Sequence, residues 1–382
     1  MKVALIHDYL SQDGGAERVL KALQELYPEA PIFVLFYNKD KLPEFFFKSE
    51  IKPSFIHYIP FAKNYYRLYL PLMPLATEHY NLKGFDLVIS STSAFAKGVL
   101  TDSDTLHISY CHTPTRYLWT DTHSYIEDLN CNWLIKLILP PIISKLRMWD
   151  RMSAERADYF LANSENVRRR IQKFYHRDAE VIYPPVEIEK FKVAGKIGNY
   201  FLTGGRLVPY KKFDITIRAF NRLGLPLKIF GIGPEEEKMK ELAGPNIEFL
   251  GGVSDEEKAD LYAKAIAFIH PQVEDFGITA VESMAAGRPV IAFGQGGALE
   301  TVIPNLTGAL FFEQNWEAIF DAVLNFAPEK FEPLKIREFA ERFSAESFKQ
   351  KITEQVSGRL EDFKKGWHQE AWHQEALTFL TK

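Results

Sequence analysis

Two carboxylates and two cations stand out by their types and spacing. Glu274 and Glu282 lie in PQVEDFGITAVESMAAGRPVIAFGQGG, residues 271–297. A short apolar run ends near His270, and a small-residue helical pattern begins soon after. This reads as strand, loop, helix, with Glu274, Asp275, Phe276 and Gly277 on the loop and Glu282 on the second helical turn. A helix starting there leaves the backbone N–H groups of 276–279 without intrahelical acceptors, which suits phosphate oxygens. Gly277 permits close approach of a ligand to the backbone. Two carboxylates eight residues apart can reach different hydroxyls of one extended ligand. Gly294, Gly296 and Gly297 read as a second turn suited to phosphate. Arg206 and Lys211 lie five apart across a turn holding Pro209. Two such cations can converge on a diphosphate, one as a fork and one as a point charge.

These residues carry a resemblance. EDFGITAVESMAAGRPVIA resembles the signature of the large retaining glycosyltransferase family with paired glutamates, the family 4-like enzymes. GGRLVPYKKFDITIRAF, residues 204–220, is similar to that family's G-R-L-x-x-x-K segment, and the wording is nearest to bacterial polysaccharide mannosyltransferases. The resemblance runs over roughly residues 1–330 and is densest at 200–300. It implies the GT-B fold: α/β, two Rossmann-like doubly wound parallel-sheet domains facing a central cleft, with a helical C-terminus. It implies that Glu282 binds the nucleotide ribose and Glu274 the transferred sugar. The loop backbone at Asp275, Phe276, Gly277 and Ile278 would meet sugar and diphosphate. Gly205, Arg206 and Lys211 would serve the diphosphate, and Val253 would lie beside the base. Lys212 stands where the family often has glycine, which leaves open which lysine reaches the phosphate.

In the first half, GGAER (14–18) resembles the family's glycine loop over the sugar diphosphate, which nominates Gly14 and Gly15. A plain tight turn from strand to helix is the competing reading. CHTPTRYLW (111–119) resembles the family's histidine loop on the acceptor side, making His112 the candidate contact to the transferred sugar. A packed, hydrogen-bonded histidine is the alternative. The family's chemistry implies retention of anomeric configuration, with no protein nucleophile and the departing phosphate as proton acceptor. It needs no cofactor or metal; the donor substrate is expected to be GDP-mannose or a UDP-hexose.

The elements that must position these groups follow from the apolar pattern. Runs at 2–6, 31–36, 86–90, 106–110, 159–162 and 181–183 read as strands buried on both faces, separated by helical patterns such as 16–26. A second series follows: strands at 200–203, 227–230, 247–250, 267–269 and 290–293, and helices near 212–223, 234–243, 254–264, 277–286 and 315–326. After Pro333 the chain reads as helix to its end. The expected division is an acceptor domain at 1–186, a linker at 187–199 and a donor domain at 200–344. A terminal helix at about 345–382 is expected to pack back on the first domain.

Composition narrows the rest. A chain of 382 residues suits two α/β domains. A net charge of −4 argues against nucleic acid as partner. Two cysteines, Cys111 and Cys131, form no disulfide framework or zinc motif, and a cytoplasmic setting is expected. The start reads as a strand rather than a leader, and no apolar run is long enough to span a membrane. Residues 45–73 interleave Phe45, Phe46, Phe47, Phe61, Tyr65, Tyr66 and Tyr69 with Lys48, Lys52, Lys63 and Arg67, and 133–151 are similarly rich. Such segments lie on anionic membranes or pack amphipathically on a sheet. The surface reading of 45–73 suggests a peripheral contact at the inner face of the cell membrane and a lipid-linked saccharide acceptor. Asp102-Ser103-Asp104 has the D-x-D form of metal-dependent transferases, in a context that suits a turn. The tandem WHQEA at 367–376 sets His368 and His373 five apart, which misses helical metal spacing. Two competing functions are a nucleotide-sugar 2-epimerase on the same fold and a silent sugar-nucleotide-binding protein.

Overall fold

The structure is a computed structural model. It describes residues 1–12, 14–61, 66–122 and 133–380, without the side chains at 67, 133–135 and 366–380. Lys63, Tyr65, Cys131, the Arg67 side chain and the side chains of the WHQEA repeat lie outside the described residues. The chain divides into two compact units: 1–163 with 167–182 and 348–382, and 164–166 with 183–347.

The first unit holds a parallel sheet of β1 (Val3–His7), β2 (Ile32–Val34), β3 (Ile51–Pro53), β4 (Leu87–Thr92), β5 (Leu106–Cys111), β6 (Tyr159–Ala162) and β7 (Ala179–Val181). Their order is β3-β2-β1-β4-β5-β6-β7. Every residue of β1, β4 and β5 is buried, which explains their unbroken apolar reading. β3 was not expected. It is a three-residue edge strand with Lys52 exposed and Pro53 at its end, so no apolar run announces it. The strand expected at 181–183 lies at 179–181.

Helix Gly15–Leu26 turns Val19, Leu20 and Leu23 onto Leu5, Ile89 and Ile108. The terminal helix Ala345–Leu380 adds Phe348, Ile352 and Val356 to that core. Lys349 pairs with Glu25 at 2.5 Å and Arg359 with Glu180 at 3.4 Å. The region after Pro333 is not one helix. Helix Pro333–Ala340 ends before Ser344, whose Oγ accepts from the Ser347 N–H at 3.1 Å and starts the next.

The two aromatic stretches are each half core, half surface. Phe46, Ile56, Leu70 and Met73 are buried, whereas Phe47, Tyr58, Phe61 and Leu68 are at least 63% exposed. Helix Trp133–Ser153 buries Ile143, Leu146 and Asp150 and exposes Leu137, Ile138, Met148 and Met152. No helix among the described residues is long and apolar enough to cross a membrane.

The second unit holds β8 (Phe201–Gly204), β9 (Leu227–Phe230), β10 (Ile247–Gly251), β11 (Phe268–His270), β12 (Val290–Phe293) and β13 (Gly308–Phe311), all parallel. The order is β10-β9-β8-β11-β12-β13. β13 also escapes the sequence pattern. Its Gly308 is required because a Cβ there would stand 1.9 Å from the Val290 carbonyl oxygen. Residues 187–199 carry Ile188 and Phe191 into this unit's core.

Each sheet reverses its strand order once, between β1 and β4 in the first and between β8 and β11 in the second. Loops leaving the carboxyl ends of those strands diverge there and leave a crevice, the usual ligand position in open α/β sheets.

Candidate active site

The β8 and β11 loops bring Lys211 and Glu274 together. Lys211 ends a short 3₁₀ turn, Pro209–Lys211, and its Nζ lies 3.1 Å from Glu274 Oε1. The pair is mostly buried, with side chains 13% and 21% exposed. It is an ion pair by distance but not a directed hydrogen bond, and Oε1 of Glu274 has no hydrogen-bond donor. Gly205 makes room for the lysine: a Cβ there would lie 3.2 Å from Nζ. Arg206 is exposed and makes no side-chain hydrogen bond or ion pair among the described residues.

Lys212 is not in this pair. It adopts left-handed backbone with φ 55° at the start of helix Phe213–Leu223, and its side chain is exposed. That conformation favours glycine, which accounts for its odd place in the motif. The structure therefore joins Lys211, not Lys212, to Glu274.

Gly277 has φ +94° and stands at the start of helix Ile278–Ala285. The first helical hydrogen bond runs from Ala280 N to Gly277 O. Beneath the loop lies His270, its Nε2 3.3 Å from where a Gly277 Cβ would sit. Burial, then the nearby Lys211 charge, pushes the His270 pKa down to about 3, so the ring is neutral. Its Nδ1 meets Gln272 Nε2 at 3.1 Å.

Glu282 is 2% exposed and accepts from Lys258 Nζ and Tyr262 OH, each at 3.3 Å. Lys258 and Tyr262 stand four apart on helix Asp255–Lys264 and so share one face. That spacing was visible in the sequence, and neither residue was nominated. Lys258 also lies 3.2 Å from Asp255 Oδ1. Hydrogen bonding from Lys190, with Lys258 nearby, holds the Asp255 pKa at about 2.

Several nominated residues also have partners within the fold. Asp275 Oδ1 accepts from Asn166 Nδ2 at 3.1 Å. Phe276 is buried in an aromatic cluster with Tyr183 and Phe343, so only its backbone is available to a ligand. Ile278 and Val253 are half-buried against the same core. The glycine turn at 294–297 has a structural duty. Gly296 pairs with Glu274, Gly297 N donates to Glu274 O at 2.9 Å, and a Cβ on either glycine would lie 2.3 Å from the loop backbone. These glycines hold the loop that carries Glu274. Nearby, Glu300 accepts from the backbone N–H groups of Glu165 and Asn166 at 2.7 and 2.9 Å.

In the first unit, His112 follows β5, is 9% exposed, and meets Ser91 Oγ through Nε2 at 2.8 Å. Its carbonyl accepts from Asn163 Nδ2 at 2.9 Å. Burial, then the neighbouring His7, pushes its pKa down to about 3. Gly14 precedes helix Gly15–Leu26 in extended backbone that any residue adopts. A Cβ there would stand 3.0 Å from Glu17 Oε2, so its constraint is space. Asp102-Ser103-Asp104 lies in an exposed turn, and no cluster of metal-ligating side chains occurs among the described residues.

Comparison with known proteins agrees with this architecture. Residues 13–190 match the family model described as Glycosyltransferase Family 4, and residues 187–350 that of Glycosyl transferases group 1. An uncharacterized glycosyltransferase of Methanocaldococcus jannaschii is 30% identical over 211 residues, 53% of this chain and 60% of that protein. The GDP-mannose-dependent alpha-(1-6)-phosphatidylinositol monomannoside mannosyltransferase of Mycobacterium tuberculosis is 36% identical over 136 residues, 31% of this chain and 35% of that protein. The chain thus matches less than two thirds of the length of either relative. The Anabaena HepE structure in complex with UDP shares the fold at a TM-score of 0.69 and 19% identity, covering 94% of this chain and 100% of that one. The chain has the GT-B fold, two Rossmann-like parallel-sheet units, with residues 13–190 similar to Glycosyltransferase Family 4 and residues 187–350 similar to Glycosyl transferases group 1.

Proposed function

We propose that the chain is a retaining, metal-independent hexosyltransferase. It moves a hexose, with mannose favoured, from a nucleotide sugar to a saccharide or lipid-linked saccharide in surface-polysaccharide synthesis. The observation that carries this reading is the meeting of Lys211 and Glu274 at the β8/β11 reversal, beside the start of helix Ile278–Ala285, with Glu282 one turn further on. GDP-mannose is the first donor to test, because the Mycobacterium relative is named for it. A UDP-hexose is the second.

In this reading Lys211, Arg206 and the helix N-terminus stabilise charge on the departing diphosphate. The Glu274 oxygen without a donor takes a sugar hydroxyl, and Glu282 takes the ribose. The anomeric C–O bond breaks with its electron pair leaving on the diphosphate. The acceptor oxygen bonds to the anomeric carbon on the same face, and its proton passes to the departing phosphate oxygen. His112, Gly14 and Gly15 are the first unit's contributions, on the likeness of their motifs. Thermal unfolding with GDP, UDP, ADP and their hexose conjugates tests the donor site. One nucleotide family should raise the melting temperature, and Glu282→Gln should weaken that binding about 10- to 100-fold. If no nucleotide stabilises the wild type, the donor site is wrong.

The exposed Phe47, Tyr58, Phe61 and Leu68, with Lys48 and Lys52, support a peripheral contact with an anionic bilayer. Phe47→Ser with Tyr58→Ser should abolish co-sedimentation with phosphatidylglycerol vesicles and leave nucleotide binding intact. Equal sedimentation of variant and wild type would remove this surface.

A further inference from the structure

Four polar side chains of the first unit form one buried line, of which the transfer reaction as described uses only the last, His112. Glu17 lies on the first turn of helix Gly15–Leu26, on the face that also carries Leu20 and Gln24 inward. His7 ends β1 and is paired in register with Ser91 of β4. Glu17 Oε1 stands 3.9 Å from His7 Nε2, His7 Nδ1 3.1 Å from Ser91 Oγ, and Ser91 Oγ 2.8 Å from His112 Nε2. Glu17 and His7 are 2% and 4% exposed. The second Glu17 oxygen is buried with no hydrogen-bond partner.

With both rings neutral, a hydroxyl between two ring nitrogens has one proton to give, so two assignments satisfy both contacts. In one, Ser91 donates to His7 Nδ1 and accepts from His112 Nε2–H. The His7 proton then sits on Nε2, facing the Glu17 carboxylate. In the other, the proton order is reversed and the His7 Nε2 lone pair faces that carboxylate. Two acceptors would then confront each other in a low-dielectric interior, which is costly. The carboxylate selects the first assignment. His112 then carries its proton on Nε2 and leaves Nδ1, which makes no hydrogen bond among the described residues, as an acceptor.

We propose that Glu17, acting through His7 and Ser91, is a positioning residue that makes His112 accept a hydrogen bond from a ligand hydroxyl rather than donate one. The ligand half of this inference rests on the proposed sugar contact of His112; the relay itself does not. Burial keeps His112 uncharged near neutral pH, so the tautomer is the variable that remains.

The test uses the full chain labelled with ¹⁵N-histidine at neutral pH, with His112 assigned by His112→Asn. Ring-nitrogen shifts distinguish protonated from bare nitrogens. The wild type should show His112 as the Nε2–H tautomer. Glu17→Gln offers an N–H to His7 Nε2 and should drive His112 to Nδ1–H or to a mixture. Ser91→Ala cuts the line and should also release the preference, which covers a Glu17 variant that folds poorly. An Nδ1–H wild type, or one tautomer in all three proteins, overturns the relay. Glu17→Gln should also lower kcat/KM about tenfold, the worth of one well-made hydrogen bond. The spectra decide the relay even if the wild type transfers no sugar, and transfer by the wild type is measured independently of the relay.

Discussion

The two units share one strand order and place their polar residues at the same topological point, yet they fill that point differently. At the β1/β4 reversal, Glu17, His7, Ser91 and His112 form a line closed to water, although one Glu17 oxygen lacks a donor there too. A second closed cluster lies close by in sequence. Asp150 Oδ1 accepts from Lys97 Nζ at 2.5 Å and from Thr115 Oγ1 at 2.9 Å; its Oδ2 accepts from Trp119 Nε1 at 2.7 Å and from Tyr175 OH at 2.9 Å. Thr115 and Trp119 belong to the His112 loop, so this cluster fixes that loop to helix Trp133–Ser153. At the β8/β11 reversal, Lys211 and Glu274 keep some contact with water, Arg206 is exposed, and one carboxylate oxygen lacks a donor. Satisfied buried polar groups rigidify a fold, and open ones are free to bind. The first unit's polar residues are largely shut away from water, whereas the second unit's Lys211, Glu274 and Arg206 stay open to it.

Acid should strain this contrast most. Burial pushes His107 to about 4, and His112 and His270 to about 3, all from 6.5. Below about 6.5 the unfolded chain takes up protons that the folded one refuses, so stability falls as pH drops and continues to fall until the folded rings protonate. Three such groups give a slope of up to about 4 kcal/mol per pH unit. Two of the three belong to the first unit. Denaturant melts at stepped pH should show the slope, and His107→Gln should reduce it by about a third.

Breaking an ion pair in each unit sharpens the comparison next. Asp150→Ala leaves Lys97 buried without its carboxylate and should cost about 3–5 kcal/mol. Glu274→Ala leaves a mostly buried lysine that still reaches water and should cost less than Asp150→Ala, about 1–3 kcal/mol. Chemical denaturation of both variants measures the difference, and equal costs would erase the distinction between closed and open clusters.

The smallest effect concerns Lys212. Replacing this left-handed residue by glycine should stabilise the protein by about 1 kcal/mol and leave nucleotide-induced stabilisation unchanged. Lys211→Ala should abolish that nucleotide effect instead. A loss of binding in Lys212→Gly would mean that the exposed lysine reaches the phosphate after all.

Much of this was legible from residue order alone, because local chemistry determined it. Fully buried parallel strands require continuous apolar runs, and β1, β4, β5, β9 and β12 were found within a residue or two. The strand–loop–helix around Glu274 and Glu282 was equally plain, since loop and helix are neighbours in the chain. Short edge elements were not legible: β3 and β13 depend on a neighbouring strand for their conformation, and a proline or a glycine masks their pattern. Nor was the work of the glycines at 296 and 297, which exists only because the Glu274 loop lies against them. The sequence by itself determined two α/β sheets and the candidate donor residues. Only the tertiary structure decided that Lys211 rather than Lys212 meets Glu274, and that Glu17, His7, Ser91 and His112 stand in line. Those partners are separated by up to about a hundred residues, and their meeting depends on strand order and register, which no local pattern encodes.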